Sequence, residues 1–196
     1  MFSLPQFCFR WPTRVTLWLG IAVTGIAAPL QLDAVTLDQM LTNPKLNAKK
    51  FANYFGDFAF EFSADVQSPA AFLSRERGDC DDYAVLADFV LKQHGLATRL
   101  VHVRLAGRVA HAVCYVAENR AYLDYNNRKY FLTLARSSED LRDIATRVAG
   151  SLSANWTTAS EFTYSYVTHR KIMTATIAQT GGVVPGPGQP SAFHVE

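Results

Sequence analysis

Cysteine is scarce in this 196-residue chain: there are three, and no two are spaced as a CxxC pair. That excludes a disulfide framework and a structural zinc ribbon. An excess of one charge is lacking too. Nineteen basic residues stand against seventeen acidic ones, a net charge of +2, and neither sign forms a long run. A polybasic nucleic-acid arm and an acidic tail are excluded. So is disorder of the whole chain, since 49% of the residues are hydrophobic and only 18% charged. No internal repeat is visible, and no apolar run reaches the ~20 residues needed to span a bilayer. The length and a mean hydropathy near zero fit one globular domain.

The two ends differ from the middle. Arg10 and Arg14 precede an apolar stretch over residues 15–26, which is followed by Ala27 and Ala28. About a dozen apolar residues is the length of a secretory signal core. Residues 1–28 are therefore expected to be an export signal, with an uncleaved N-terminal anchor as the alternative, and the domain to be periplasmic or secreted. Cleavage near Ala27 would remove two arginines and no acid, leaving the charges balanced. No nucleic-acid partner is expected, and membrane attachment only through an uncleaved N-terminal segment. Residues 179–196, rich in Gly and Pro and without periodicity, read as a mobile tail. The domain proper then spans residues 36–178.

Within it, helix-like spacing runs over residues 36–55, broken at Asn43-Pro44. Phe58, Phe60 and Phe62 alternate with other residues and predict a short extended segment, forming core or a groove wall. Ser68-Pro69 starts a helix that ends near Glu76. A second helix follows Gly78, with Asp79 as cap and Asp82 three residues on, and closes at Gly95. Residues 98–105, 111–116 and 121–125 read as strands separated by short turns. Leucine, isoleucine and valine spacing predicts a helix over 132–148, and residues 162–167 a further strand. Helices followed by an antiparallel sheet make the fold class α+β.

The chemistry concentrates in Arg77-Gly78-Asp79-Cys80-Asp81-Asp82-Tyr83-Ala84. A thiol in the first turn of a helix meets unpaired N–H groups and the positive end of the helix dipole, which favour a thiolate and can bind an oxyanion. Gly78 is expected to let the chain turn sharply before it. Asp81 and Asp82 oppose the thiolate by like charge, so an imidazolium partner is needed. His94, fourteen residues along the same helix, is ~21 Å away and cannot serve. Of His102 and His111, both on predicted strands, only His111 is followed on the next strand by an acid placed to orient it, Asp124. Cys80, His111 and Asp124 supply a nucleophile, a base and an orienter. Strand alternation places Cys114 on the face away from them, as a small core residue; a Cys80–Cys114 disulfide is the competing reading.

These three motifs, in this order, resemble those of the transglutaminase-like superfamily: Gly78 to Ala84 around the cysteine, Ala110-His111-Ala112-Val113, and Tyr122-Leu123-Asp124. The bacterial transglutaminase-like cysteine proteinases, which carry a similar signature, are the nearest subgroup. The resemblance covers residues 58–128. It implies a papain-like α+β fold with N-terminal helices, in which the nucleophile's helix packs on an antiparallel sheet. It also implies an exported cysteine peptidase or acyltransferase, acting on protein or peptide amides through a Cys80 thioester. The alternative is a catalytically idle domain that binds a protein or cell-wall partner. No cofactor is required by such chemistry. Some relatives bind calcium through acids flanking the cysteine, and here these would be Asp79, Asp81 and Asp82. One departure stands out. Val66 occupies the position where that subgroup usually has tryptophan, leaving Gln67 as a candidate substrate-binding donor to the oxyanion.

Overall fold

Short capped helices open the domain in the computed structural model, which describes residues 35–128 and 134–179. The expected signal segment, and the expected tail apart from Gln179, lie outside the described residues. α1 (Leu37–Thr42) begins at Thr36, whose hydroxyl accepts the Gln39 N–H while the Gln39 side chain accepts the Thr36 N–H. α2 (Ala48–Asn53) begins at Asn47, whose side chain accepts the Lys50 N–H. Between them lies Asn43-Pro44, the break that the sequence predicts. Met40, Phe51 and Phe55 are wholly buried.

The alternating phenylalanines behave otherwise. β1 (Ala59–Phe60) is two residues long and pairs in parallel with β2 (Arg77–Gly78). Phe58 packs against the rings of Phe55 and Phe72, at 4.9 and 5.4 Å. Phe60 and Phe62 are 60% and 59% exposed. An extended chain advances ~3.3 Å per residue, so each step of two carries the next ring further past the helical cluster. These two are not core.

α3 (Pro69–Arg75) starts at Ser68, with proline in its first position. Its stop is made by Glu76, in the left-handed region at φ 48°. The sharp turn expected at Gly78 therefore belongs to Glu76. Gly78 is needed for a different reason: a Cβ there would lie 2.4 Å from Asp82 Oδ2 and 2.7 Å from two carbons of the Phe72 ring. α4 (Cys80–Gln93) follows at once. The Asp79 carboxylate accepts the N–H groups of Asp81 and Asp82, and Asp82 Oδ2 accepts the Asp79 N–H at 3.0 Å. Tyr83, Leu86, Ala87, Val90 and Leu91 form its buried face, as their spacing predicts.

The sheet has the order β6-β5-β4-β3-β7-β8 and is antiparallel throughout. β3 (Thr98–Leu105) and β4 (His111–Val116) have the predicted bounds. β5 (Ala121–Leu123) is shorter than predicted, because Asp124 caps a single 3-10 turn over Tyr125–Asn127. Beyond it, the predicted helix over 132–148 is corrected. Ala135–Arg136 is a strand, β6, and α5 (Leu141–Ser151) starts only at Asp140, which accepts the N–H groups of Arg142 and Asp143. Leu134 merely continues the spacing of the helix that follows. The late strand predicted over 162–167 is corrected to β7 (Trp156–Ser165), with residues 166–167 in the turn that follows; it runs beside β3, and β8 (Arg170–Ala178), which the sequence does not single out, closes the edge.

Both faces of the sheet are covered. Leu100, Ala112, Cys114, Val116, Leu123 and Phe162 pack with α1–α4. Val101, Val103, Val113, Tyr115, Tyr122 and Trp156 pack with Ile144, Ala145, Val148 and Ala149 of α5. This is why every residue of β4 is buried and its apolar pattern is unbroken. Among the described residues, no helix is long and apolar enough to cross a membrane.

Candidate active site

Cys80 is the first residue of α4, set there by the capping box of Asp79 and Asp82. The N–H of Tyr83 donates to the Asp79 carbonyl, and those of Asp81 and Asp82 to the Asp79 carboxylate. For the N–H of Cys80 itself, no acceptor is found among the described residues. It is the free donor of the first turn.

His111 opens β4, and its Nε2 lies 2.8 Å from Asp124 Oδ1; both side chains are almost fully buried. With Nε2 so engaged, Nδ1 is left for the Cys80 thiol, to which the ring is hydrogen-bonded. Burial alone would lower the His111 pKa. The hydrogen bonds to Asp124 and Cys80, with the negative charge of Asp124, outweigh burial and raise it to about 10. The ring is therefore an imidazolium at neutral pH. Asp124 does double duty, as it also accepts the Asn126 N–H at 2.8 Å and the Asn127 side-chain amide at 3.3 Å. The turn it caps is anchored across the site. Tyr125 donates to the Ala59 carbonyl at 2.7 Å, and Arg128, stacked on the Tyr125 ring, donates to the carbonyls of Tyr125 and Phe58. Neither anchor was singled out from sequence. The Asp124-Tyr125 junction was the only signal.

The structure thus brings Cys80, His111 and Asp124 together, but not along the face that strand alternation suggests. Cys114 shares a face with Ala112 and Val116, and that face carries α4. Its neighbour on the helix is Asp88, eight residues or ~12 Å beyond Cys80. Cys114 is separated from the site along the helix axis, not by the sheet. His111, as the first residue of its strand, reaches Cys80 from the strand end. Both cysteines are free thiols. Burial holds the Cys114 pKa well above that of an ordinary thiol.

Gln67 lies nearby with its amide spent. Nε2 donates to Asp82 Oδ2 at 2.8 Å and to the Arg77 carbonyl at 3.1 Å, and the backbone N–H donates to Asp82 Oδ1. Both amide hydrogens are used, so none is left for an oxyanion. Gln67 holds Asp82 instead. Val66 beside it is buried.

The acids around Cys80 form the group that comes closest to a metal site. Asp79, Cys80 and Asp81 each bring one donor atom within 4.8 Å of the others. The Asp79 carboxylate already accepts N–H groups from Ser63, Asp81 and Asp82. Burial, reinforced by the charges of Asp81 and Asp82, raises its pKa to about 6. Asp81 Oδ2 is 2.5 Å from Lys171 Nζ, and only Asp81 Oδ1 is buried with no partner. One thiol and one open oxygen do not fit a hard divalent cation, which needs six to eight oxygens.

The stretch that holds these residues matches a known family. The model of the transglutaminase-like superfamily fits residues 34–131, half of the chain. The chain belongs to the transglutaminase-like superfamily. The matched core contains Cys80, His111 and Asp124 and ends before β6, α5, β7 and β8. Among curated proteins, none matches the chain. Among solved structures it is similar to calcium-bound Legionella pneumophila LapG, at 17% identity and a TM-score of 0.40, over 57% of this chain and 61% of that one. The α+β fold expected from the motifs, with α4 laid on an antiparallel sheet, is the fold found.

Proposed function

We propose that this protein is an exported cysteine peptidase that cleaves protein or peptide amides through a thioester on Cys80. The observation that carries the reading is the buried 2.8 Å bond from His111 Nε2 to Asp124, which leaves Nδ1 to the thiol at the start of α4. The thiolate attacks the amide carbonyl carbon, and the carbonyl electrons move onto oxygen, facing the free Cys80 N–H. As the intermediate collapses, the C–N bond breaks and His111 gives its proton to the leaving amine. A thioester and a neutral imidazole remain. His111 then takes a proton from water as the hydroxide adds to the thioester, and the acid leaves with the thiolate restored. An amine in place of water would give cross-linking, and a glutamine side-chain amide as substrate would give deamidation. Calcium is present in the LapG structure. In this chain the acids beside Cys80 leave one oxygen open, too few for a divalent cation.

A second reading has its own support. With the Gln67 amide spent and Val66 where tryptophan is usual, only one oxyanion donor is at hand among the described residues, which suits an idle domain that binds a protein or cell-wall partner. Site-resolved alkylation by iodoacetamide from pH 5 to 9, with Cys114 as internal reference, separates the two. The peptidase reading expects Cys80 to label fast below pH 7, to lose this in His111→Ala, and to cleave a fluorescent casein in a Cys80-dependent way. Labelling of Cys80 at the rate of an ordinary thiol, or cleavage that survives Cys80→Ala, would overturn it.

A further inference from the structure

The acids beside Cys80 pose a problem that the imidazolium does not solve alone. An Asp81 oxygen lies within 4.8 Å of the Cys80 sulfur, and a carboxylate that close opposes a thiolate. The structure answers with a cation from the far end of the chain. Lys171 is on β8, directly opposite Tyr164 on β7, and so projects from the sheet face that carries α4. Its ammonium is 2.5 Å from Asp81 Oδ2 and 5.7 Å from the centre of the Phe162 ring, and its side chain is only 12% exposed. Pairs so shielded from water interact strongly. The remaining oxygen of Asp81 is buried without a partner, which leaves the carboxylate dependent on that pair.

Among the described residues, the other groups near Asp81 do not pair with its carboxylate, and the His111 imidazolium is engaged by Asp124 and Cys80. Asp79 and Asp82 on its own helix add negative charge, and Tyr164 on β7 is neutral. His102 on β3 is held neutral, because burial, and then the charges of Lys171, Arg104 and His111, lower its pKa to about 4 despite Asp81. Lys171 also lies forty residues beyond the end of the matched family core, on the β7–β8 hairpin.

We propose that Lys171 is a positioning residue for the nucleophile: a tethered cation that balances Asp81 beside Cys80 and makes the site indifferent to soluble calcium. The proposal rests on the nucleophilic role of Cys80 argued above. It needs no bound ligand, and it explains why the open oxygens near Cys80 are too few for a divalent ion.

The test uses the full chain and the rate at which iodoacetamide labels Cys80 at pH 6.5, with melting temperature as a check on folding. Lys171→Met is expected to slow labelling about tenfold, the effect of an uncompensated neighbouring charge. Lys171→Arg should keep the wild-type rate. The double variant Asp81→Asn with Lys171→Met should return to within about twofold of wild type, since it removes the charge that needed balancing. A purely structural lysine would not be rescued in this way. Wild-type protein in millimolar calcium chloride and in EGTA should label and melt alike. A Lys171→Met protein that labels like wild type, a double variant as slow as the single, or a wild type quickened or stabilised by calcium would each overturn the proposal. A wild-type Cys80 that labels no faster than an ordinary thiol would instead sink the peptidase reading, which keeps the two failures apart.

Discussion

The two ends of α4 lie on the same sheet, one bearing Cys80 and the other lying toward Cys114, and are built in opposite ways. At the C-terminal end, Lys92 and Asp88 form an exposed pair, His94 bonds the Met40 carbonyl, and Gly95 at φ +76° lets the Leu96 N–H return to Leu91. Its polar groups are satisfied, and Cys114 beneath it is wrapped in apolar side chains. At the N-terminal end three acids crowd one turn, Gly78 is pressed against Phe72 and Asp82, and the Tyr83 hydroxyl is buried with no hydrogen-bond partner. Burial raises the pKa of Cys114, but the sheet face does not separate the two thiols. What differs is the free helix terminus and the charged ring set against it. The end with the crowded acids and the free N–H is the one that holds Cys80.

Breaking the contrast most severely should take only the orienting acid. Asp124→Asn leaves the turn near its shape but withdraws the charge that holds the His111 imidazolium, and kcat on a peptide substrate should fall on the order of a thousandfold or more. Gly78→Ala strikes the same end through packing. The added methyl has nowhere to go against Asp82 and Phe72, and chemical denaturation should report a loss of about 2 kcal/mol, with slower labelling of Cys80 as the cap shifts.

The pH profile sharpens the comparison further. The raised pKa of His111 gives stability that is fully present below about 6.5 and lost as pH climbs through about 10. The lowered pKa of His102 works in the other direction: its contribution is present above about 6.5 and lost as pH falls through about 4. Thermal melts from pH 7 to 10 should therefore decline in wild type and flatten in His111→Gln. The smallest effect belongs to Tyr83→Phe. Removing an unpartnered buried hydroxyl should leave stability unchanged or raise it by about 1 kcal/mol, and a lower melting temperature would show that the hydroxyl is satisfied after all.

Much of this was legible in the chain. Helix caps announce themselves chemically, so Thr36, Ser68 and Asp79 mark starts that the structure keeps. β3 and β4 were readable from apolar runs bounded by turn residues. The elements after Asp124 were less so. Leu134 fell in phase with a helix it does not join, and β8 presents alternating threonine, alanine and isoleucine with little burial contrast. At the site, Cys80, His111 and Asp124 could be named because each carries its own chemistry in a local motif. The fate of Gln67 and the arrival of Lys171 could not, since both depend on which side chains meet across tens of residues. Strand parity misplaced Cys114 because it was anchored on a residue at the strand's very end.

β7 lies between β3 and β8, although fifty residues separate it from β3 in the chain. During synthesis the edge of β3 must wait for it, with Val101 and Val103 unshielded by Trp156 and Ala159. A fragment ending at residue 131, however well it matches the family core, would expose an open apolar edge and invite pairing with its own copies. Cover for that edge is a property of the whole domain, completed late, by the same hairpin that brings Lys171 to Asp81.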